Sequence, residues 1–152
     1  PAMQEVTILD LKETKGRILG VDFGDTRTGL AVSDTSRFLA SGIGYVSPGG
    51  IQKTADKVAE VAREQGVSAI VVGLPKNMDG TEGARAELCK AFAQLLREAT
   101  GLPVVMWDER RTTVEAHNIL SQHNYHGKKR KNTVDAVAAS LILEGYLAFR
   151  AR

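Results

Sequence analysis

Carboxylates stand at three places in this sequence where a rigid scaffold could aim them into one cleft. Asp22 lies near the end of an early apolar run and precedes Gly24. Asp108 and Glu109 close a later apolar run, and Asp135 falls in the first turn of a long apolar segment. Carboxylates brought together would repel one another unless a cation neutralised them, and oxygen ligands of this kind suit Mg²⁺ or Mn²⁺. Two such ions about 4 Å apart can activate a water and stabilise the leaving oxygen in phosphodiester hydrolysis, so these residue types are compatible with nuclease chemistry.

Each of these carboxylates also has an ordinary structural interpretation. An aspartate just before glycine often forms a turn, and Asp135 could simply favour the helix dipole. Asp108 and Glu109 could be solvated charges after a strand. The functional interpretation is favoured because these carboxylates are expected to meet at one place. Parallel strands bring their carboxyl ends to one edge of a sheet, where ligands of open α/β folds bind.

The elements that would position these carboxylates follow from the pattern of apolar residues. We predict strands over residues 17–23, 28–33, 41–46, 69–72 and 104–108. We predict helices from residue 51 to a stop at Gly66, from 84 to a stop at Gly101, over 112–122 and over 133–149, the last with Asn132 or Thr133 as N-cap. The strand 69–72 is apolar throughout, which indicates burial on both faces. The fold class is therefore α/β, with a mixed sheet that is antiparallel at its beginning, parallel later and covered by helices.

Length and composition limit the classes of protein that the chain can be. Its 152 residues fit one domain over residues 1–152, in which Pro1 and Ala2 precede Met3 and are expected to be an artificial addition. The single Cys89 cannot form an internal disulfide, and no apolar run approaches the roughly 18 residues of a membrane span. We therefore expect a cytoplasmic protein without a membrane partner. The net charge of +2 neither demands nor excludes a polyanionic partner.

Two further segments could contact a phosphate backbone. Residues 110–131 carry six basic residues against one acid, which gives +5 and leaves −3 for the remainder of the chain. The six are Arg110, Arg111, Lys128, Lys129, Arg130 and Lys131. The loop from Gly73 to Gly80, which contains Asn77, follows a buried strand and could present N–H groups to a phosphate, although a plain turn is its ordinary interpretation. Aromatic residues make up only 5% of the chain, which argues against a base-stacking platform.

Four blocks of residues recur in the order of a known family. They are Asp22 to Gly24 with Arg27, Gly29, Ser33 and Asp34; VGLPKNMDGT from Val72 to Thr81; Asp108 to Arg110 with Thr112 to Ala116; and Val134 and Asp135 with Ala138, Ala139 and Leu141 to Leu147. Together they resemble the YqgF family of Holliday junction resolvases, from about Gly16 to Leu147.

The resemblance implies an RNase H-like three-layer fold, with a mixed five-stranded sheet and helices on both faces. It also implies a metal-dependent nuclease that matures the precursor of 16S ribosomal RNA. The metal ligands and catalytic residues that it implies are Asp22, Asp108, Glu109 and Asp135, which would hold Mg²⁺ or Mn²⁺. In a straight strand Asp108 and Glu109 point to opposite faces, so we expect only one of them to be a direct ligand and leave open which one. We expect nucleic-acid contacts from Arg27, Asn77, Arg110, Lys128, Lys129, Arg130 and Lys131.

Other functions remain open alternatives at this point. A resolvase of branched DNA would use the same carboxylates, as a dimer with two sites facing one junction, whereas the RNA enzyme could be a monomer or a homodimer. A nucleic-acid-binding module without catalysis could share the fold. The segment from Asp22 to Asp34 also resembles the first phosphate loop of actin-like and sugar-kinase ATPases, but those enzymes need two such lobes.

Overall fold

The computed structural model describes Leu11 and residues 14–47, 49–111 and 133–150. Over these residues the chain forms five strands, three α-helices and one 3₁₀ turn. In chain order they are β1 (Ile18–Asp22), β2 (Thr28–Ser33), β3 (Ala40–Val46), α1 (Ile51–Gln65), β4 (Ala69–Leu74), α2 (Ala84–Thr100), β5 (Val104–Asp108), the 3₁₀ turn (Glu109–Arg111) and α3 (Val134–Arg150). The predicted helix over 112–122 and the basic residues Lys128–Lys131 lie outside the described residues.

The strands form one mixed sheet in the order β3-β2-β1-β4-β5. β1, β2 and β3 pair antiparallel, whereas β4 runs parallel to both β1 and β5. The carboxyl ends of β1, β4 and β5 therefore meet at one edge, which we call the carboxyl edge. This arrangement confirms the predicted α/β class and the predicted change from antiparallel to parallel strands.

The three helices cover the two faces of the sheet and bury a separate core on each. One core joins alternate strand residues such as Ile70 and Val72 to Val58 of α1 and Phe92 of α2. The other joins the intervening residues, such as Val71, to α3. β4 is buried on both faces because side chains alternate along a strand, which confirms the interpretation of its continuous apolar run. None of the described helices is both long and apolar enough to cross a membrane.

One strand boundary differs from the prediction for a physical reason. The sequence pattern placed Gly73 in a loop, but β4 continues through Gly73 to Leu74, and Gly73 pairs with Trp107 of β5. A Cβ at this position would lie only 2.5 Å from Oε2 of Glu109 and 2.5 Å from Cδ1 of Ile142. The glycine thus leaves room for a carboxylate and for α3 beside the sheet, rather than ending the strand.

The first turn of α3 lies directly against the sheet at Gly29 of β2. A Cβ on Gly29 would overlap the carbonyl oxygen of Asp135, and a Cβ on Gly20 would lie 2.8 Å from Cβ of Leu143. Gly29 is also the strand partner of Asp22. The absence of a side chain at Gly29 therefore sets how closely Asp135 can approach Asp22.

We predict that Gly29→Ala destabilises the protein by at least about 2 kcal/mol, because a methyl group would push α3 off a tightly packed sheet. Urea unfolding followed by circular dichroism measures the effect. Gly49→Ala is the matched control, since its Cβ would meet mainly the exposed side chain of Lys53, and we expect a change within about 0.5 kcal/mol. Equal midpoints for the two variants would contradict the close approach of α3 at Gly29.

Candidate metal centre

Three different elements deliver carboxylates to the carboxyl edge. Asp22 ends β1, Glu109 begins the 3₁₀ turn that follows β5, and Asp135 lies in the first turn of α3. The predicted cap Thr133 fixes that first turn, because its Oγ1 accepts a hydrogen bond of 3.2 Å from the backbone N–H of Ala136. The scaffold therefore holds the backbone of each acidic residue in a regular element.

Asp22 and Glu109 are partly buried, and the charge of Asp22 makes ionisation of Glu109 less favourable. Burial raises the pKa of Asp22 to about 6, and the nearby charge of Asp135 adds to the shift. Burial also raises the pKa of Glu109 to about 7, with a further contribution from the charge of Asp22. The guanidinium of Arg85 opposes both shifts. Two carboxylates in this situation would be stabilised in their charged form by a cation between them.

Asp108, in contrast, already has a cationic partner. Its carboxylate forms a bidentate ion pair with Arg110, at 2.7 Å from Nη2 to Oδ2 and 3.1 Å from Nε to Oδ1, and it also accepts the backbone N–H of Arg110. Hydrogen bonding to Arg110 accordingly lowers the pKa of Asp108. Of the two neighbours that the sequence could not separate, Glu109 is the one that interacts with Asp22, whereas Asp108 holds Arg110.

Asp135 is paired with Arg27, but incompletely. Nε of Arg27 lies 3.0 Å from Oδ2 of Asp135, while the guanidinium stacks over the ring of Tyr45 at 5.1 Å. Oδ2 of Asp135 is nevertheless buried and accepts no hydrogen bond from any described residue. A buried carboxylate oxygen with unused capacity is suited to binding a cation.

The donor chemistry fits a hard divalent cation, although the ligands are not fully assembled. Asp22, Glu109 and Asp135 would offer only oxygen atoms, as Mg²⁺ and Mn²⁺ prefer. Across the parts of the chain that the structure describes, however, no three acidic, histidine or cysteine side chains are close enough to form a complete metal site. Asp135 would have to turn from Arg27 towards the cation. The assignment of these residues as metal ligands stays a prediction.

The residues predicted to contact nucleic acid make other contacts where they are described. Arg27 pairs with Asp135, and Arg110 pairs with Asp108 while donating to the carbonyl of Met78 at 3.2 Å. Nδ2 of Asn77 donates to Oγ1 of Thr81 at 2.8 Å and so stabilises its own loop. Their contacts with nucleic acid stay predictions, as do those of Lys128, Lys129, Arg130 and Lys131, which lie outside the described residues.

One further charged residue at this edge, Arg85, is not predicted from the sequence. It lies in the first turn of α2, and it reaches the site because Nη2 donates to the carbonyl of Phe23, the residue after Asp22, at 2.6 Å. Phe23 in turn stacks on Phe92 of α2, with ring centroids 4.4 Å apart. The position of Arg85 thus depends on how α2 packs against the end of β1, and no local motif in the sequence marks it.

Comparison with known proteins supports the same fold. Residues 16–149 match the model of the family described as "RuvX: Holliday junction resolvase". A "Putative pre-16S rRNA nuclease" of Clostridium novyi is 44% identical over 131 residues, which are 86% of this chain and 97% of that protein. A relative of the same description from Pelotomaculum thermopropionicum is 41% identical and covers 90% of this chain and 89% of its own.

Two solved structures share the fold at low sequence identity. RuvC of Thermus thermophilus, in complex with a Holliday junction substrate, aligns with a TM-score of 0.63 and 18% identity over 90% of this chain and 95% of its own. The fowlpox virus resolvase, bound to Holliday junction DNA, aligns with a TM-score of 0.56 and 13% identity over 90% of this chain and 99% of its own. These similarities confirm the predicted RNase H-like fold.

The raised pKa values predict how the metal-free protein responds to pH. Each of the two carboxyls has a higher pKa in the folded than in the unfolded chain, so its stabilising contribution is full at low pH and is lost as the pH rises through about 6 for Asp22 and about 7 for Glu109. We compare the free energy of unfolding of Glu109→Gln with that of the wild type in chelator. The difference in favour of the variant should grow by about 1–2 kcal/mol between pH 5 and pH 8, allowing for solvent screening.

Urea unfolding of both proteins at the two pH values checks this prediction, since their other titrating groups cancel in the difference. Addition of Mg²⁺ at pH 8 should then stabilise the wild type but not the variant. A difference between the proteins that does not change with pH would contradict the raised pKa of Glu109.

Proposed function

This chain belongs to the RuvX family of Holliday junction resolvases, and on that basis we propose that it is a nuclease that hydrolyses phosphodiester bonds in the precursor of 16S ribosomal RNA. We propose Mg²⁺, or Mn²⁺ in its place, as the cofactor. The substrate follows from the description shared by the C. novyi and P. thermopropionicum relatives, which match most of the chain. A role in processing ribosomal RNA in bacteria would place the protein in the cytoplasm.

The observation that carries this proposal is the crowding of the partly buried carboxyl groups of Asp22 and Glu109, both with raised pKa values, beside the unsatisfied Oδ2 of Asp135. These three residues would hold the metal, which when bound supplies activation of water and stabilisation of the leaving oxygen. The pKa values of about 6 and about 7 mean that protons compete with the metal below neutral pH. Activity should therefore rise between pH 6 and pH 8.

The surrounding cations would bind and orient the substrate. Arg110 holds Asp108 and the carbonyl of Met78, and so joins β5 to the loop that follows β4. Within that loop, Thr81 accepts a hydrogen bond from Asn77 and donates one to Asp79. These bonds stabilise the loop, against which the sugar-phosphate backbone of the substrate could lie. We propose that the tract Lys128–Lys131, which precedes α3 in sequence, contributes non-specific contacts with phosphates.

A second candidate function is cleavage of branched DNA, and the description of the matched family favours it. Both substrates present phosphodiesters to the same carboxylates, so the chemistry does not separate them. Side-by-side cleavage of labelled precursor 16S RNA and four-way junction DNA does, with Mg²⁺, Mn²⁺ or chelator. The proposal expects metal-dependent cleavage of the RNA with higher kcat/KM, and preferred cleavage of the junction would replace it with the second function.

We predict that Asp22→Asn lowers kcat/KM for Mg²⁺-dependent cleavage by about 10³-fold or more while the fold stays intact, because the amide cannot neutralise the metal's charge. Cleavage rates and circular dichroism measure the two effects. The matched control is Asp56→Asn on α1, whose exposed carboxylate only accepts a hydrogen bond from Gln52. Unchanged cleavage by the Asp22 variant would refute the metal site, and binding without any cleavage by the wild type would indicate a non-catalytic module.

The two neighbouring acids at the end of β5 should behave differently on substitution. We predict a loss of about 10²-fold or more in kcat for Glu109→Gln, as expected for a metal ligand, but less than about 10-fold for Asp108→Asn, which only loosens Arg110. Parallel Mg²⁺ titrations of the cleavage rate should show weaker metal dependence for the Glu109 variant alone. The reverse order of the two effects would make Asp108 the ligand.

A further inference from the structure

Arg85 is fixed to the segment that directly follows Asp22. Nη2 donates to the carbonyl of Phe23 at 2.6 Å, and Nη1 pairs with Oδ1 of Asp25 at 2.8 Å. The guanidinium also lies over the ring of Phe23, 5.3 Å from its centroid. Its positive charge reaches both Asp22 and Glu109, whose pKa values it lowers. Arg85 is therefore held beside the carboxylates without forming an ion pair with either one.

The partner of Arg85 distinguishes it from the other arginines at this edge. Arg27 pairs with Asp135, which is 22% exposed, and Arg110 pairs with Asp108, which is 18% exposed. The partner of Arg85 is Asp25, whose side chain is 82% exposed, so water screens that ion pair strongly. A guanidinium carries five N–H donors, and the described contacts of Arg85 use two of them. Arg85 thus retains both charge and donors for an anion.

A groove lies beside the segment that Arg85 contacts. It encloses about 320 Å³ and is lined by Phe23 to Asp25, by Gly50 and Ile51 at the start of α1, and by Leu88 of α2. Leu88 follows Arg85 by three residues, and so lies on the same face of α2. The groove borders the same segment, Phe23 to Asp25, to which Arg85 is fixed, and its lining is mainly apolar.

We propose that Arg85 binds the scissile phosphate and that the adjacent nucleoside enters this groove. This inference rests on the proposed nuclease function. The phosphate must approach Asp22 and Glu109, and Arg85 would donate to its non-bridging oxygens while keeping its bond to Phe23. The planar guanidinium suits two parallel hydrogen bonds to a phosphate, which a lysine at the same place could not form. Arg85 would then exchange Asp25, the exposed partner, for the substrate.

The test compares Arg85→Gln, Arg85→Lys and Asp25→Asn with the wild type in steady-state cleavage of precursor 16S RNA at saturating Mg²⁺. We expect kcat/KM to fall roughly 10- to 100-fold for Arg85→Gln and by an intermediate factor for Arg85→Lys. Asp25→Asn removes the anion that competes with the phosphate for Arg85, so its kcat/KM should fall less than that of Arg85→Gln. Arg63→Gln on α1, which loses a similar surface pair with Glu60, is the control for general charge.

Two readouts separate phosphate binding from a structural or purely electrostatic role. Thermal unfolding with and without Mg²⁺ should give the same metal stabilisation for Arg85→Gln and the wild type. The rate of the variant should stay low on the high-pH plateau, where Asp22 and Glu109 are ionised, whereas a purely electrostatic role would let it recover there. Loss of metal stabilisation, recovery at high pH, or an equal loss in Asp25→Asn would each overturn the assignment.

The failure of this inference can be told apart from that of the nuclease proposal. Binding of labelled RNA in Ca²⁺ over a range of salt concentrations should show a slope that is smaller by about one for Arg85→Gln than for the wild type. Wild-type cleavage that Arg85→Gln fully retains would overturn the role of Arg85 alone. A wild-type chain that neither cleaves nor binds nucleic acid would overturn the proposed function, and the role of Arg85 with it.

Discussion

The constraint on which the rest of the site depends is the crowding of negative charge at one edge of the sheet. Burial raises the pKa of both Asp22 and Glu109; the charge of Asp135 adds to the shift of Asp22, and the charge of Asp22 adds to the shift of Glu109. This arrangement costs free energy in the absence of a cation, and nothing in the packing of the sheet requires it. The fold accepts that cost because β1 is anchored in both cores and α3 in one of them. Such local conflict with stability is common at functional sites.

Glycines and arginines make the crowding sterically and electrostatically tolerable. Gly29 lets the first turn of α3 lie on β2, and Gly73 leaves space for the carboxylate of Glu109. Two arginines neutralise part of the negative charge: Arg110 pairs with Asp108, and Arg27 partly neutralises Asp135. Neither Asp22 nor Glu109 forms an ion pair with any described residue. The same edge therefore contains both the carboxylates that could bind a cation and the arginines that could hold a phosphate.

The sequence predicted most of the framework but little of how charges pair within the site. Apolar periodicity located every described strand and helix to within about two residues, because burial on one or both faces leaves a clear pattern. The predicted end of β4 was two residues too early, because a glycine such as Gly73 is compatible with both a strand and a turn. The sequence could not separate Asp108 from Glu109, since the 3₁₀ turn and the reach of Arg110 decide their roles. It gave no sign of Arg85, whose position depends on tertiary packing between α2 and β1.

We propose that Asp22, Glu109 and Asp135 together bind a divalent metal ion at the carboxyl edge. A crystal structure of the protein grown with Mn²⁺, with anomalous scattering recorded at the manganese edge, tests this proposal. We predict an anomalous peak within about 2.2 Å of carboxylate oxygens of Asp22 and Glu109, with Asp135 turned from Arg27 towards it. A peak bound by Asp108 instead, or no peak at this edge while the three carboxylates keep their present partners, would contradict it.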